Sequence, residues 1–298
     1  LTDLTIVDPA HAVTMLIDRT SLISRLQRRR RSRQVGACFL EAVEQLQPDV
    51  TLVVKGRGIA PETIRRARSF SSIVIYYPDN PYWGVADTPD ALDRLAAAHM
   101  AVVWSERLRD LLRPSCSRVE ILPFGYDDDW FPLTAPARPR AGIAFVGTWS
   151  LRRERYLRAL DGLPLTVIGS GWHRAEDLRA NPPVYGADAG EVLQSAAIGV
   201  NVFHPHNSGA HNMRTREIAA SGALQLTDPG VDGTPMRDGD GCLWFRSPSH
   251  LRELAEQYLA RPEEACVIAE RAQELVARDT YRRRAAELVE LFDRVVQS

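Results

Sequence analysis

Lysine is almost missing from this chain. Of its 37 basic residues only Lys55 is a lysine, so the rest are arginines. Any clamp for an anion must therefore be built largely from guanidinium forks and backbone N–H groups. Net charge is missing too: 37 basic and 38 acidic residues leave −1. That excludes a global attraction to nucleic acid or to an acidic membrane and confines useful positive charge to local patches. The densest patch, "RRRRSR" at 28–33, has no interleaved aromatics and reads as a solvated helix end or loop. Cysteine is scarce and scattered: Cys38, Cys116, Cys242 and Cys266 form no C-x-x-C pair and have no His at ligand spacing. A disulfide frame and a zinc site are excluded, and reduced thiols in a cytoplasmic protein are expected. No apolar run approaches the ~18–20 residues of a membrane span, and no stretch reads as a signal peptide. No G-x-G-x-x-G follows a strand, which weighs against a hydride-transfer dehydrogenase.

Short β-branched runs alternating with longer helical patterns are what the sequence does contain. In the first half they are "LTIVD" (4–8), "TLVVK" (51–55), "SIVIYY" (72–77), "AVVWS" (101–105) and "RVEILPF" (118–124). After a Pro/Ala/Arg stretch at 132–142 the pattern restarts with "IAFVG" (143–147), "LTVIGS" (165–170), "AIGVNVF" (197–203), "ALQLTD" (223–228) and "CLWF" (242–245). A helical tail follows from about Pro248. Apolar strands that do not alternate, separated by helices, indicate parallel sheets covered on both faces. The expectation is an α/β chain of two doubly wound Rossmann-like domains, 1–133 and 134–298, facing across a cleft, with ligands just beyond the strand ends.

The candidate chemistry follows strands. Gly147 closes "IAFVG" with a tight turn before a helix capped by Ser150, and the N–H groups from Thr148 onward are placed to face an anion. Arg152, Arg153 and Arg155 crowd that helix start, where the dipole disfavours cations, unless a bound diphosphate supplies the negative charge. "LTVIGSGW" repeats the scheme: Gly169 and Gly171 let the chain turn past a ligand, and Trp172 offers a flat face to a base. "PPVYG" (182–186) reads as a further short extended piece.

The stretch "HPHNSGAHNMRTREIAASG" (204–222) carries the densest set of polar groups. His204, His206 and Asn207 leave a strand, Asn212 is a fair N-cap, and a helix is expected from about Met213 to Ser221, stopped by Gly222. Arg214 and Glu217, three apart, share a face: a fork for phosphate and a carboxylate for a diol. Arg216 points elsewhere. In the first half, "VIYYPDNPYWG" places Asp79, Asn80, Tyr82 and Trp83 after a strand, a set suited to a hydroxylated acceptor. Asp79 is placed to accept from a hydroxyl there, the position of a general base. Lys55 and Arg57, in "VVKGRG", follow another strand and are expected to hold an anion.

Taken in order, "FVGTWSLRRERYLRAL", "VYGADAGEVLQSAAIGVNVF", "HNMRTREIAASGALQLTD" and "CLWFRSPSHLRELAEQYLARPEE" resemble the C-terminal half of the group-1-like glycosyltransferases, in the branch of the CgeB-like spore-maturation proteins. "QPDVTLVVKGRGI", "VIYYPDNPYW" and "VEILPFGYDDDWF" resemble that family's acceptor domain, so the likeness spans about residues 36–297. It implies a GT-B fold, a nucleoside diphosphate sugar donor (UDP by default), a hydroxyl acceptor and no required metal or other cofactor. By the resemblance Glu217 matches the glutamate on the donor ribose, Arg214 the basic residue just before it, and Gly147 and Arg153 the turn and the arginine near the diphosphate. Together with the residue reading, Thr148 is an expected donor contact and Asp79, Arg214 and His206 are the expected catalytic residues, Asp79 as general base if transfer inverts the anomeric carbon. Related retaining enzymes carry a further Glu eight residues before the ribose Glu; here that position is Gly209, which puts the retaining mechanism in doubt. A nucleotide-sugar epimerase on the same scaffold and a non-catalytic nucleotide-sugar-binding protein are the alternatives.

Overall fold

The computed structural model describes residues 22–83, 90–133, 140–175, 177–204, 207, 211–230 and 234–297, with side chains from residue 33 onward. Two compact units divide them: one within Leu1–Leu122 plus Leu288–Ser298, the other Pro123–Glu287. The stretch 132–142 lies inside the second unit, its residues 134–139 outside the described ones.

In the first unit a long helix, α1 (Leu22–Leu46), precedes four strands: β1 (Val50–Val54), β2 (Ser72–Tyr76), β3 (Met100–Val103) and β4 (Val119–Ile121). They lie parallel in the order β1-β2-β3-β4, joined through α2 (Pro61–Ala67), α3 (Ala91–Ala97) and α4 (Glu106–Leu112). The run 28–33 falls inside α1, not at a helix end or in a loop. Arg and Gln are good helix formers, and no Gly or Pro interrupts 28–35. The segment 4–8 lies outside the described residues.

The second unit holds β5 (Ile143–Val146), β6 (Leu165–Ile168), β7 (Ala180–Asn181), β8 (Ile198–Asn201), β9 (Leu224–Thr227), β10 (Arg237–Asp238) and β11 (Gly241–Trp244). Their order is β10-β11-β9-β8-β5-β6-β7, so the sheet turns back on itself between β5 and β8, which pair parallel. A reversal of strand order leaves a crevice beyond the carboxyl ends of the two central strands. The helices are α5 (Leu151–Arg158), α6 (Gly186–Ser195), α7 (Met213–Ser221), α8 (Pro248–Leu259), α9 (Pro262–Val276) and α10 (Tyr281–Val296). All residues of β5 and β8 are buried, because two apolar clusters cover the sheet: one around Phe145, Leu157 and Phe245, the other around Leu193, Ile218 and Ala272. The last helix begins in the second unit and ends on the first sheet, where Leu291 and Val295 pack with Val74 and Val102. Among the described residues no helix is long and apolar enough to cross a membrane.

Candidate functional site

The loops leaving β5 and β8 flank the reversal point, and they carry most of the expected donor residues. Ser150 caps α5, its hydroxyl accepting from the Arg153 N–H at 3.3 Å. Asn212 caps α7 by accepting from the Thr215 N–H at 3.2 Å, and Gly222 closes that helix at φ 72°, a conformation glycine adopts without Cβ strain. The helix runs over the span expected from its caps.

Arg153 lies at the centre of this region. Its Nε donates to the Val202 carbonyl at 3.0 Å and its Nη1 to the Thr148 carbonyl and hydroxyl at 2.9 and 3.2 Å. The guanidinium also sits 5.5 Å from the centre of the Phe145 ring. No carboxylate pairs with it among the described residues. Burial, and then repulsion from Arg214 and Arg152, pushes its pKa down to about 10. Arg214 and Glu217 lie on one face of α7 as expected, with Nη1 and Oε2 2.7 Å apart. Burial raises the Glu217 pKa above the ordinary carboxylate range, against the opposing pull of Arg214. Arg216 turns the other way, to Asp279 at 2.8 Å, and is 2% exposed.

Three expectations need correcting. Arg152 does not face an anion: it forms a two-pronged pair with Asp228 at 2.7 and 2.5 Å, which meets its charge within the protein. Trp172 offers no face to a base. It is 3% exposed, packs edge-on against Phe145, and its indole N–H donates to the Gly147 carbonyl at 2.8 Å, the partner a buried indole requires. Asn212 has its carbonyl oxygen engaged by Thr215 and by Asn201, so its role is to start α7. Gly169 serves packing as well as turning: at φ 151° a Cβ would run into the Gly147 carbonyl oxygen. His204 is half-buried at the β8 exit, Asn207 is buried, and His206 and Gly209 lie outside the described residues.

Asp228 and Tyr156 were missed. Asp228 was legible only as an acid at a strand's carboxyl end, and the Arg152 guanidinium lies 4.7 Å from the Tyr156 ring centre. Tyr185, just before α6, is 77% exposed.

In the first unit, Asp79 follows β2 and meets Lys55 Nζ at 2.7 Å and Arg57 at 3.8 Å. Lys55 holds φ 62°, a left-handed backbone that is strained for a residue with a Cβ and costs on the order of 1–3 kcal/mol. The Tyr76 pKa is pushed up to about 12, by burial first and then by Asp79. Asn80 caps its own turn, accepting from the Tyr82 N–H at 3.0 Å. Tyr82 is exposed and donates its hydroxyl to the Leu111 carbonyl at 2.8 Å. Trp83 follows in the same turn, its N–H donating to the Asn80 carbonyl at 3.1 Å. Lys55, Asp79 and Asn80 are thus brought to one sheet end. Among the described residues no group of three or more His, Cys, Asp or Glu side chains could hold a metal ion.

Residues 152–290 match the family profile described as glycosyl transferase-like. Among solved structures, sucrose-phosphate synthase from Thermosynechococcus elongatus superposes with a TM-score of 0.69 at 14% identity, over 91% of this chain and 79% of that one. Anabaena HepE in complex with UDP-glucose gives 0.65 at 11% identity, over 87% of this chain and 82% of that one. The GtfA/B complex gives 0.62 at 15% identity over 90% of this chain, which spans 61% of the length of the matched chain. No curated protein matches the chain by sequence. The likeness defines the fold: α/β with two parallel sheets, the architecture of GT-B glycosyltransferases.

Proposed function

We propose that the chain is a glycosyltransferase moving a sugar from a nucleoside diphosphate sugar to a hydroxyl acceptor. The observation that carries the reading is Arg153: a half-buried guanidinium held by the Val202 and Thr148 carbonyls with no carboxylate partner among the described residues, beside Arg214, where the strand order reverses. Two cations held close together in a poorly solvated place are costly alone and favourable around a diphosphate. Glu217 accepts the ribose hydroxyls, and Tyr185 lies along the base. As the diphosphate departs, negative charge grows on it, and Arg153, Arg214 and the Thr148 N–H stabilise that charge without a metal, the Trp149 N–H being taken by the Ser170 carbonyl at 2.8 Å. The UDP-glucose held in the Anabaena HepE structure supports a uridine donor.

In the first unit Asp79 takes the proton of the acceptor hydroxyl and Lys55 holds the carboxylate in place, with Tyr82 and Trp83 against the acceptor. For Asp79 to serve as base, the hydroxyl must reach a carboxylate lone pair that Lys55 leaves accessible. The CgeB-like branch remains the proposed subfamily, and the cytoplasm the proposed compartment.

The test is a thermal-shift screen of UDP, ADP, GDP and their sugars, followed by incubation of the best donor with an acceptor panel. Release of the nucleoside diphosphate that depends on acceptor, and is lost in Asp79→Asn while the donor still binds, supports transfer. An epimer formed from donor alone would replace the reading with epimerisation. Binding without turnover would leave a nucleotide-sugar-binding protein, and no binding at all would remove the donor site.

A further inference from the structure

We infer that Asp228 is a positioning residue of the diphosphate site, acting through the Val202–Phe203 peptide on Arg153; the inference rests on the donor reading above. Asp228 follows β9 directly and is 5% exposed. Its Oδ2 accepts the Phe203 N–H at 2.6 Å. The carbonyl of the same peptide unit, that of Val202, accepts from Arg153 Nε at 3.0 Å. The N–H of Phe203 and the C=O of Val202 are opposite ends of one planar group, so turning one turns the other. Asp228 therefore sets the direction in which the Val202 carbonyl points, and that carbonyl holds Arg153.

Arg152 completes the device. Its two terminal nitrogens bind the two Asp228 oxygens, and Nη1 also reaches the Phe203 carbonyl at 3.3 Å. The two peptide units that flank the Phe203 Cα are thus gripped by one ion pair, the first at the Phe203 N–H and the second at the Phe203 C=O. Arg152 and Arg153 are chain neighbours on α5, yet they act in opposite senses. Arg152 is neutralised and fixes backbone; Arg153 has no carboxylate in contact among the described residues, only the more distant pull of Asp228, and that backbone fixes its direction. Repulsion between the two guanidinium groups, and between Arg153 and Arg214, would otherwise drive Arg153 outward. The Asp228 carboxylate draws Arg152 away and anchors the peptide that draws Arg153 back.

A positioning role predicts a loss that depends on the phosphates. The experiment compares UDP with uridine by calorimetry, uridine in competition, on wild type, Asp228→Asn, Arg152→Lys, Arg153→Met and the Asp228→Asn/Arg153→Met double variant. Melting curves confirm which variants are folded. Expected is a UDP affinity about tenfold weaker in Asp228→Asn, about 1.4 kcal/mol, with uridine affinity unchanged. Arg152→Lys keeps the charge but not the fork, and should lose in the same phosphate-selective way. On the Arg153→Met background, Asp228→Asn should add almost nothing, since both remove the same interaction. Equal losses for UDP and uridine, unchanged UDP binding in folded variants, or additive effects of the two substitutions would overturn the inference. If Asp228→Asn does not fold, Arg152→Lys decides by the same criteria. If wild type binds none of UDP, ADP and GDP, the donor reading falls and this inference with it; wild-type binding with unaffected variants overturns this inference alone.

Discussion

Arg214 Nη1 and Glu217 Oε2 lie 2.7 Å apart on α7, yet the contact is too poorly aligned for a hydrogen bond, and both atoms are buried without a hydrogen-bond partner among the described residues. A buried charge contact that leaves directional bonding unsatisfied is a weak resting arrangement. A ligand bringing acceptors to Arg214 and hydroxyls to Glu217 would satisfy both groups.

Glu217→Gln should therefore weaken UDP binding by roughly 10- to 100-fold, the ~1.5–3 kcal/mol typical of hydrogen bonds to a charged group. Glu217→Ala should also lose the thermal stabilisation that UDP gives wild type. It leaves the half-buried Arg214 without its acid, so the protein should lose stability without UDP as well. Equal UDP-induced shifts in wild type and Glu217→Ala would remove Glu217 from the ribose role.

The pH dependence follows from the raised Glu217 pKa. Burial keeps this carboxyl protonated in the folded chain at pH values above 4.5, where an unfolded glutamate is already ionised. In that window the native state binds more protons than the unfolded state, so this group's contribution to stability falls as pH rises. If Glu217 holds the ribose as proposed, UDP binding needs its carboxylate as acceptor and should move the other way, weakening as pH falls through the same window. Calorimetric titrations across pH on wild type and Glu217→Gln isolate the effect, because the variant should lack this acid limb.

Arg153 supplies the alkaline counterpart. Burial and the neighbouring arginines push its pKa down to about 10. A bound diphosphate favours the charged form, so above pH 10 binding must take up a proton and should weaken as pH rises. Arg153→Met should bind UDP roughly 10- to 100-fold more weakly at neutral pH and show no such limb. Binding curves at pH 8 to 10.5 for both proteins check this, and an identical alkaline decline in the variant would assign it elsewhere.

Trp172 belongs to the core and not to a base site. Trp172→Ala should cost about 3–5 kcal/mol of stability, as large core truncations do. Trp172→Phe should lower the melting temperature, by about 2–4 °C for each kcal/mol lost, while uridine affinity stays within twofold. A selective loss of uridine affinity in a stable Trp172→Phe protein would restore the stacking role.

Much of the architecture was legible because local signals agreed. Strands such as "IAFVG" and "SIVIYY" are apolar throughout, and β5 and β2 form within those bounds. Asn212 and Gly222 mark both ends of α7, and the i, i+3 spacing put Arg214 beside Glu217. The site was legible less evenly. Arg152, Arg153 and Arg155 look alike in sequence, but consecutive helical residues point about 100° apart. One meets Asp228, 76 positions away, one meets backbone carbonyls, and one is exposed. Trp172 was misread because a glycine-flanked tryptophan at a strand exit suits a ligand as well as a core. Only the Gly147 carbonyl and Phe145 edge decide between them.

By itself the sequence determined the element order, the parallel character of both sheets, the caps of α7 and the shared face of Arg214 and Glu217. All of these follow from interactions a few residues apart and from the period of burial. Only the tertiary structure decided the strand order, with its reversal between β5 and β8, and which arginine was left without a carboxylate partner among the described residues. Those depend on partners brought together across scores of residues, where the cost of leaving a buried charge or N–H unmatched selects one arrangement, and no local pattern records that selection.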